Sequence, residues 1–371
     1  MIYYKLQVFN FICKISENME DDMGLFSKIF GSNINNIITN DMGIDLGTAN
    51  TLVYIKGQGI VVDEPSVVAI RDDNNEILAV GQKARDMVGR TPENIIAIQP
   101  VKEGVIADFE ATQAMMSYFI QKGSKGVVSP RIVICVPYGI TKVEKKAIEE
   151  AAIQAGGREV FILEEPMAAA IGAGLNVNDP EGNMIVDIGG GTSEIAVISL
   201  GGVVVANSIR IGGDEFDLAI ENFVRRDYNI IIGARTSENI KLAIGSAFPG
   251  DKEIEMTISG RDIMSGLPRT ITIGSTEVRE ALREPINEIV EAIRTTLEDT
   301  PPELASDIME KGIFLTGGGS LLRGMDKLIQ AETSLNVTVA EKPLQCVAIG
   351  AGKSIENSDI FHSIVMMNHE G

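Results

Sequence analysis

The sequence predicts a duplicated α/β fold whose two halves are built on the same β-hairpin. IDLGTANTLVYIKG, from Ile44, and MIVDIGGGTSEIAVISLGG, from Met184, both read as strand, glycine turn, strand. Asp187 stands 142 residues after Asp45 in the equivalent place. A chain of 371 residues exceeds one ordinary core, and its 38 glycines cluster at turns. Two similar halves are the simplest interpretation, although two glycine hairpins could also resemble each other by chance.

The first half alternates strands and helices. Short strands follow the hairpin, and a helix is predicted over about 110–122. The continuous apolar run 131–137 is typical of a strand that is covered on both faces. Thr141 and Glu144 predict an N-terminal capping box for a helix over 141–157. A strand ending in LEEP then leads into a helix of small residues.

The second half continues with longer helices. They are predicted at about 214–229, 236–246 and 276–298. The strand GIFLTGG (312–318) is expected to run directly into a helix that begins at Ser320.

Composition excludes several functional classes. The net charge of −20 repels phosphate backbones, so we expect no nucleic-acid partner. Three cysteines without CxxC spacing and two histidines near the C-terminus disfavour a zinc site, a disulfide framework and a histidine-based triad. No run of 18 apolar residues predicts a membrane span, and the N-terminus lacks the features of a signal peptide, so we expect a cytoplasmic protein.

The two hairpin turns predict a nucleotide site. Glycine permits positive φ and lets successive backbone N–H groups converge on an anion, phosphates above all. Asp45 and Asp187 beside such turns would repel phosphate unless a cation lay between them, and Mg²⁺ is commonly held by one or two carboxylates plus phosphate oxygens. This predicts Mg-nucleotide in a cleft between the halves. Alternatively, each aspartate caps its own turn.

Two further features fit this site. LTGGGSLLRG (315–324) supplies a third glycine turn, predicted to open a helix whose N-terminus favours an anion or a polar ligand edge. Glu165, just before a helix, could position the attacking water in phosphoryl transfer. It could equally complement the helix dipole, and the residue type alone does not decide between these roles.

An ordered set of motifs resembles the actin/Hsp70/sugar-kinase ATPase superfamily and, within it, the MreB/Mbl family of bacterial actins. The motifs extend over about 41–356 and are IDLGTANT, DEPSVVA, GVIADFE, EEPMAAAIGAGL, VDIGGGTSEIAVISLGG, GRDIMSGLPRTI, TPPELASDI and LTGGGSLLRG. The resemblance implies an actin-like, duplicated ribonuclease-H-like fold with two domains, or four subdomains, around a nucleotide cleft. Domain I would span 41–178, with a small subdomain at about 70–109. Domain II would span 179–355, with a small subdomain at about 218–284. An N-terminal extension (1–40) would precede domain I, and a C-terminal tail (356–371) would follow domain II and either pack on domain I or be disordered.

The resemblance also implies roles for individual residues. Glu165 and Thr192 would order the hydrolytic water, and Asp45 and Asp187 would hold Mg²⁺, through water. The residues implied to contact ATP or ADP are Asp45, Gly47, Thr48, Ala49, Asn50, Asp187, Gly189, Gly190, Gly191, Thr192, Gly213, Asp214, Glu238, Asn239, Ile240, Lys241, Gly317, Gly318, Gly319, Ser320 and Leu321. Departures from the family pattern are few: Ser193 and Ala234 replace usual Thr and acidic residues.

Two segments are predicted to touch a membrane. GLFSKIF (24–30) would form a short amphipathic helix that presents Leu25, Phe26, Ile29 and Phe30 to a bilayer interface. The alternatives for this N-terminal region are a frayed tail, or residues upstream of a true start at Met23. Val127 and Val128 form the apolar tip of a loop with Lys122, Lys125 and Arg131, at the place where the family carries a membrane-inserting pair. Such a tip is a weak anchor that needs avidity.

Three functions fit this framework. The first, favoured by the resemblance, is an ATPase that polymerises into filaments on the inner face of the cell membrane, directs cell-wall synthesis and rod shape, and weakens the filament on hydrolysis. Its partners would be itself, the membrane and the cell-wall elongation machinery. The second is an Hsp70-like switch, which requires a peptide-binding domain, although the chain ends shortly after the last motif. The third is a small-molecule kinase, for which no acceptor site is evident.

Overall fold

Two mixed sheets of the same design form the protein. The computed structural model describes residues 41–124, 129–250, 252–357 and 360. The elements of the first half are β1 (Met42–Leu46), β2 (Asn50–Ile55), β3 (Gly59–Pro65), β4 (Val68–Arg71), β5 (Ile77–Val80), α1 (Gln82–Met87), β6 (Ile95–Ile98), β7 (Val101–Lys102), β8 (Val105–Ile106), α2 (Phe109–Gly123), β9 (Arg131–Val136), α3 (Lys142–Gln154), β10 (Glu159–Glu164) and α4 (Glu165–Ala173).

The second half repeats the plan with longer helices. Its elements are β11 (Asn183–Ile188), β12 (Ser193–Ser199), β13 (Gly202–Ile209), α5 (Gly213–Tyr228), β14 (Ile230–Ile231), α6 (Ala234–Ile244), β15 (Glu255–Asp262), β16 (Pro268–Gly274), α7 (Ser275–Glu298), α8 (Pro302–Lys311), β17 (Ile313–Thr316), α9 (Met325–Thr333), β18 (Val337–Val339) and α10 (Cys346–Glu356), with 3₁₀ turns at Gly318–Leu321 and Pro343–Gln345.

Strand order shows the duplication directly. The first sheet runs β10-β9-β1-β2-β3 and the second β18-β17-β11-β12-β13. In each sheet the hairpin strands pair antiparallel, and the first hairpin strand pairs parallel with a later strand. Chance similarity of two hairpins would not reproduce this whole connectivity. Small three-stranded sheets, β5-β4-β6 and β14-β15-β16, are inserted at matching places in the two halves.

Most predicted elements agree with the structure. The strand at Arg131–Val136 is buried almost throughout, as its apolar run indicates. Thr141 accepts a hydrogen bond from the backbone N–H of Glu144, whose carboxylate accepts one from Thr141 N–H, so the predicted capping box is present. One prediction is wrong: the third glycine turn leads into a 3₁₀ turn, and the α-helix begins only at Met325.

Helix α4 lies between the two sheets, and α10 packs directly against this helix. Its alanines belong to a buried cluster with Val133 of β9 and Ile185 of β11. A Cβ on Gly172 would meet the carbonyl oxygen of Cys346 at 1.8 Å, and one on Gly350 would meet that of Ala168 at 1.8 Å. The two helices therefore touch backbone to backbone, which only glycine permits. Through this contact α10, late in the sequence, packs on the first half.

Candidate functional site

A cavity of about 390 Å³ opens between the two halves. It is lined by both hairpin turns, by the third glycine turn and by α5 and α6. The predicted site residues that line it are Asp45, Gly47, Thr48, Ala49, Asn50, Glu165, Asp187, Gly189, Gly190, Gly191, Thr192, Gly213, Asp214, Glu238, Lys241, Gly317, Gly318, Gly319 and Leu321. Residues that are far apart in sequence thus converge on one space.

The two hairpin turns face each other across the floor of the cavity. A Cβ on Gly190 would meet the Cβ of Ala49 at 2.7 Å, and one on Gly191 would meet Thr48 Oγ1 at 2.7 Å. The expectation of positive φ at these glycines is wrong, because Gly47, Gly189, Gly190 and Gly191 are not among the positive-φ residues. Glycine is required here by close approach of the two backbones, not by left-handed geometry.

Positive φ occurs instead at the third turn. Gly317 has φ 78°, and a Cβ there would meet the carbonyl oxygen of Ile188 at 2.2 Å. The Ser320 hydroxyl donates to Gly317 O at 2.7 Å and closes the 3₁₀ turn. This packs the turn against the end of β11, which carries Asp187, and so brings the third turn to the same cavity.

One aspartate near the end of each central strand, Asp45 on β1 and the buried Asp187 on β11, favours a bound cation. Burial, followed by the charges of Asp187 and Asp63, raises the pKa of Asp45 to about 8. Burial raises the pKa of Asp187 to about 6. Asp187 Oδ1 is buried without a hydrogen-bond partner among the described residues. A bound cation would stabilise both ionised carboxylates and would give Asp187 Oδ1 a partner.

The donor set suits Mg²⁺ rather than a metal held wholly by protein. No cluster of three or more His, Cys, Asp or Glu side chains that could hold a metal occurs in the described part of the chain. Mg²⁺ usually keeps several waters and takes one or two carboxylates together with phosphate oxygens. Asp45 and Asp187 fit that requirement.

Glu165 begins α4 and faces the cavity with only 8% of its surface exposed. Burial raises its pKa well above the ordinary value, and the negative charges of Glu194, Asp45 and Asp187 raise it further. A carboxyl group with a raised pKa can accept a proton near neutral pH, as a general base must.

Helix α6 lines one side of the cavity with paired charges. Lys241 Nζ donates to Asp217 Oδ2 at 2.9 Å and to Gly213 O at 2.8 Å, which fixes the lysine beside the N-terminus of α5. Glu238, one turn earlier, pairs with Arg85 of α1 across the cavity. These side chains can offer hydrogen bonds to the sugar and base of a nucleotide.

Comparison with known proteins identifies the family. The family model described as MreB/Mbl protein matches residues 39–363. The chain is 56% identical over 331 residues to the cell shape-determining protein MreB of Escherichia coli (strain K12), covering 87% of this chain and 95% of that protein. It is 54% identical over 325 residues to Mbl of Bacillus subtilis (strain 168), covering 87% and 98%. The chain belongs to the MreB/Mbl family.

Solved structures agree with this assignment. The crystal structure of MreB 5 of Spiroplasma citri bound to AMPPNP superposes with a TM-score of 0.81 at 40% identity, covering 90% of this chain and 98% of the other. The same protein bound to ADP gives 0.82 at 40% identity, covering 90% and 99%. The MamK double helical filament, at 22% identity and a TM-score of 0.71, covers 86% and 99% and shows likeness of fold alone. The actin-like fold predicted from the motifs is confirmed.

Three predicted nucleotide contacts in this MreB/Mbl-family chain do not line the cavity. Ile240 is fully buried in the core of the second half, because it lies on the face of α6 opposite the cavity. Asn239 is exposed on the same helix. Ser320 is buried and bonded to Gly317 O. Ile240 and Ser320 therefore support elements of the site from within the core.

Other residues of the site escaped sequence reasoning. Arg85 and Asp217 line the cavity through the two ion pairs described above, and neither stands in a glycine motif. Glu194 follows Thr192 by two residues and is buried, accepting from the Tyr138 N–H at 3.2 Å and the Ser208 hydroxyl at 2.7 Å. Burial raises its pKa to about 7. A glutamate within a strand that is buried throughout is the signal that the sequence offers for this residue.

The predicted membrane contacts belong to two segments that the structure does not describe. Leu25, Phe26, Ile29, Phe30, Val127 and Val128 lie outside the described residues. Two cations that flank the valine loop are engaged in ion pairs, Lys122 with Glu64 and Arg131 with Asp41. Within the described ranges, every helix is too short or too polar to cross a bilayer.

Proposed function

We propose that this protein is an actin-like ATPase that assembles into membrane-associated filaments and directs cell-wall synthesis and rod shape. The observation that supports it most strongly is the convergence of three glycine turns and two aspartates on one cavity between duplicated halves. Family membership supports the cellular role, since the related proteins are named for determining cell shape.

Different residues of the cavity would contact the phosphates and the nucleoside of the nucleotide. The hairpin turns around Thr48 and Gly190 would contact the phosphates through backbone N–H groups. Glu238 and Lys241 would contact the nucleoside, with Leu321 on the other side. A relative solved with AMPPNP and one with ADP support this assignment.

Asp45 and Asp187 would hold Mg²⁺ beside the phosphates. When bound, Mg²⁺ neutralises phosphate charge and so lowers the barrier to phosphoryl transfer. The unpartnered Oδ1 of Asp187 and the raised pKa values of both aspartates are the features that favour this assignment.

Glu165 and Thr192 would position the water that attacks the terminal phosphate. Phosphoryl transfer depends mainly on alignment and electrostatics, so a buried carboxylate at the rim of the phosphate site suffices to orient the water and accept its proton. Hydrolysis without an acceptor substrate then acts as a timer: the ATP state favours assembly, and the ADP state weakens the filament.

The partners would be further copies of this chain, the inner face of the cell membrane and the cell-wall elongation machinery. The apolar segment GLFSKIF and the Val127–Val128 tip are the parts of the sequence suited to insertion in a membrane. An Hsp70-like switch or a small-molecule kinase is disfavoured, because the relatives that match almost their whole length are cell-shape proteins.

Electron microscopy on lipid monolayers tests this proposal. With Mg-ATP the protein should form filaments on the lipid, and Asp187→Ala, which loses one carboxylate of the cation site, should form few. Dispersed protein under all conditions, with nucleotide bound, would contradict the filament role and leave the nucleotide site intact.

A further inference from the structure

A second cavity in domain II has no part in the proposed ATPase site. It measures about 130 Å³ and lies among the loop after α6, the start of β15 and the first residues of α7 and α9. The residues that line it are Ser246, Phe248, Pro249, Gly250, Lys252, Ile254, Ser275, Arg279, Arg323, Gly324 and Lys327. We call it the basic pocket.

Its charge is opposite to that of the molecule. Four cationic side chains line it, those of Lys252, Arg279, Arg323 and Lys327, whereas no carboxylate among the described residues does. In a chain with 52 acidic and 32 basic residues this is an unusual concentration. Over the described ranges, none of the four forms an ion pair, and their one hydrogen bond runs from Arg323 Nε to Gly245 O at 3.0 Å.

Among the described carboxylates that neighbour the basic residues in the sequence are Glu253, after Lys252, and Asp326 in the first turn of α9, and neither lines the pocket. Glu253 accepts hydrogen bonds from the Thr276 N–H, at 2.8 Å, and from the Thr276 hydroxyl. Those bonds lower its pKa, and the charge of Arg279 adds a smaller effect. Asp251, which precedes Lys252 in the sequence, lies outside the described residues.

The start of α9 adds backbone donors. Gly324, its N-cap, has φ 77°, and no side chain caps the nine-residue helix. A Cβ on Gly324 would meet the Cβ of Phe248 at 2.6 Å, so glycine is needed for this wall to close. The uncapped N–H groups and the helix dipole favour an anion at this end.

The wall of the pocket also carries two serine hydroxyls. Ser246 is 7% exposed and lines the pocket, and its hydroxyl makes no hydrogen bond to any described residue. Ser275, also buried, accepts from Ile254 N–H at 3.0 Å. Because it has no partner in the described part of the chain, the Ser246 hydroxyl is available to hydrogen-bond a ligand or a water in the pocket.

We propose that the basic pocket binds the phosphate group of a small ligand. A tetrahedral dianion matches four cations, a free hydroxyl and helix N–H groups better than a single carboxylate does. The volume suits such a group, since one water occupies about 30 Å³ in the liquid. The source is either free phosphate or a phosphate monoester.

The pocket shares a wall with the nucleotide cavity. Arg323 lines both, Ala247 N–H donates to Arg323 O at 2.8 Å, and Gly245 lies on the nucleotide side. An anion that draws the Arg323 guanidinium towards the pocket would therefore alter the wall of the nucleotide cavity. By linkage, phosphate and nucleotide would change each other's affinity by the same factor.

Equilibrium dialysis with labelled inorganic phosphate tests the site. The full-length protein is saturated with Mg-AMPPNP, which occupies the phosphate turns of the cleft. One phosphate per chain should bind, and Lys252→Gln with Lys327→Gln should weaken it roughly tenfold. The matched control is Lys56→Gln with Lys102→Gln, two exposed lysines of domain I that lose the same charge and should bind as wild type does.

Competitors distinguish the source and the chemistry. Glycerol phosphate that competes better than inorganic phosphate would indicate a monoester ligand, and the reverse would indicate free phosphate. Acetate or glutamate competing equally well would overturn the proposal in favour of an acidic peptide site. Absence of saturable phosphate binding, or equal binding by the pocket variant, would also overturn it. All these readouts are independent of ATPase activity and filament formation.

The shared wall has its own test. The AMPPNP dissociation constant should differ at least about twofold with and without saturating phosphate in the wild type, and much less in the Lys252→Gln, Lys327→Gln variant. An identical dissociation constant in the wild type would exclude the link through Arg323.

Discussion

Asp45 and Asp187 lie at equivalent ends of β1 and β11. Because desolvation disfavours their ionised forms, both aspartates lower the stability of the folded protein when they are charged. The pKa of Asp45 is raised to about 8 and that of Asp187 to about 6, from an ordinary value of 3.8. Between pH 3.8 and each of these raised pKa values, the folded chain keeps a proton that the unfolded chain has lost. Stability therefore falls as pH rises through this window.

This gives a prediction for the protein without nucleotide or divalent cation. Its melting temperature should decline as pH rises from 3.8 to about 8, between the ordinary and the raised pKa values of the two aspartates. Asp45→Asn, which cannot ionise, should reduce that slope, and Mg-ADP should flatten the wild-type curve. Thermal unfolding measured across this range provides the check. A flat curve for the wild type in EDTA would contradict the assignment.

Glu165 and its neighbour Glu164 differ in placement. Glu165 faces the cavity, whereas Glu164 ends β10 and does not line it. We expect Glu165→Ala to bind ATP normally and to release phosphate about a hundredfold more slowly, because the water loses its orienting base. Glu164→Ala should keep the wild-type rate. The assay is single-turnover phosphate release, and an unchanged rate in Glu165→Ala would remove this residue from the reaction.

Between elements, the tightest contact is that of α4 with α10. Gly172→Ala would place a methyl group 1.8 Å from the carbonyl oxygen of Cys346, and rigid backbone cannot give way. We expect a loss of at least about 2 kcal/mol in the free energy of unfolding, measured by denaturant titration. Gly233→Ala is the control, since nothing lies within 4 Å of a Cβ there. Equal stability of the two variants would show that the helices separate easily.

At the scale of elements, local chemistry explains what could be predicted from sequence. The capping box of α3 and the buried strand β9 depend on neighbouring residues and were predicted correctly. The 3₁₀ turn at Gly318–Leu321 was not, because its geometry is set by packing of Gly317 and Gly319 on Ile188, a contact across strands. The glycines of the turns could be recognised from the sequence. The reason that glycine is needed there, the close approach of two backbones, is evident only in the folded structure.

For the whole molecule, the repeat was the decisive sequence feature. Two hairpins 142 residues apart predicted two halves, and the matching sheet orders agree. The cleft was predicted by the chemistry of Asp45 and Asp187. Arg85 and Asp217 were missed, since each takes part in an ion pair between two different helices. The spacing of residues in the sequence does not predict such ion pairs.

The proposed membrane binding would depend on the whole chain and its assembly. We expect more protein to sediment with Mg-ATP and liposomes than with Mg-ATP alone, because many weak anchors act together in a filament. Val127→Glu with Val128→Glu should reduce the lipid-dependent fraction. Val143→Glu, an exposed valine of α3, serves as the control and should not. Equal pelleting with and without lipid would contradict the anchor.

The central claim is that two equivalent halves hold one magnesium-bound nucleotide between them. Isothermal titration calorimetry with AMPPNP, which avoids hydrolysis, measures it most directly. The prediction is one site per chain in Mg²⁺, with affinity sharply reduced both by EDTA and by Asp187→Ala. Binding of the same strength in all three conditions, or no binding in Mg²⁺, would contradict it.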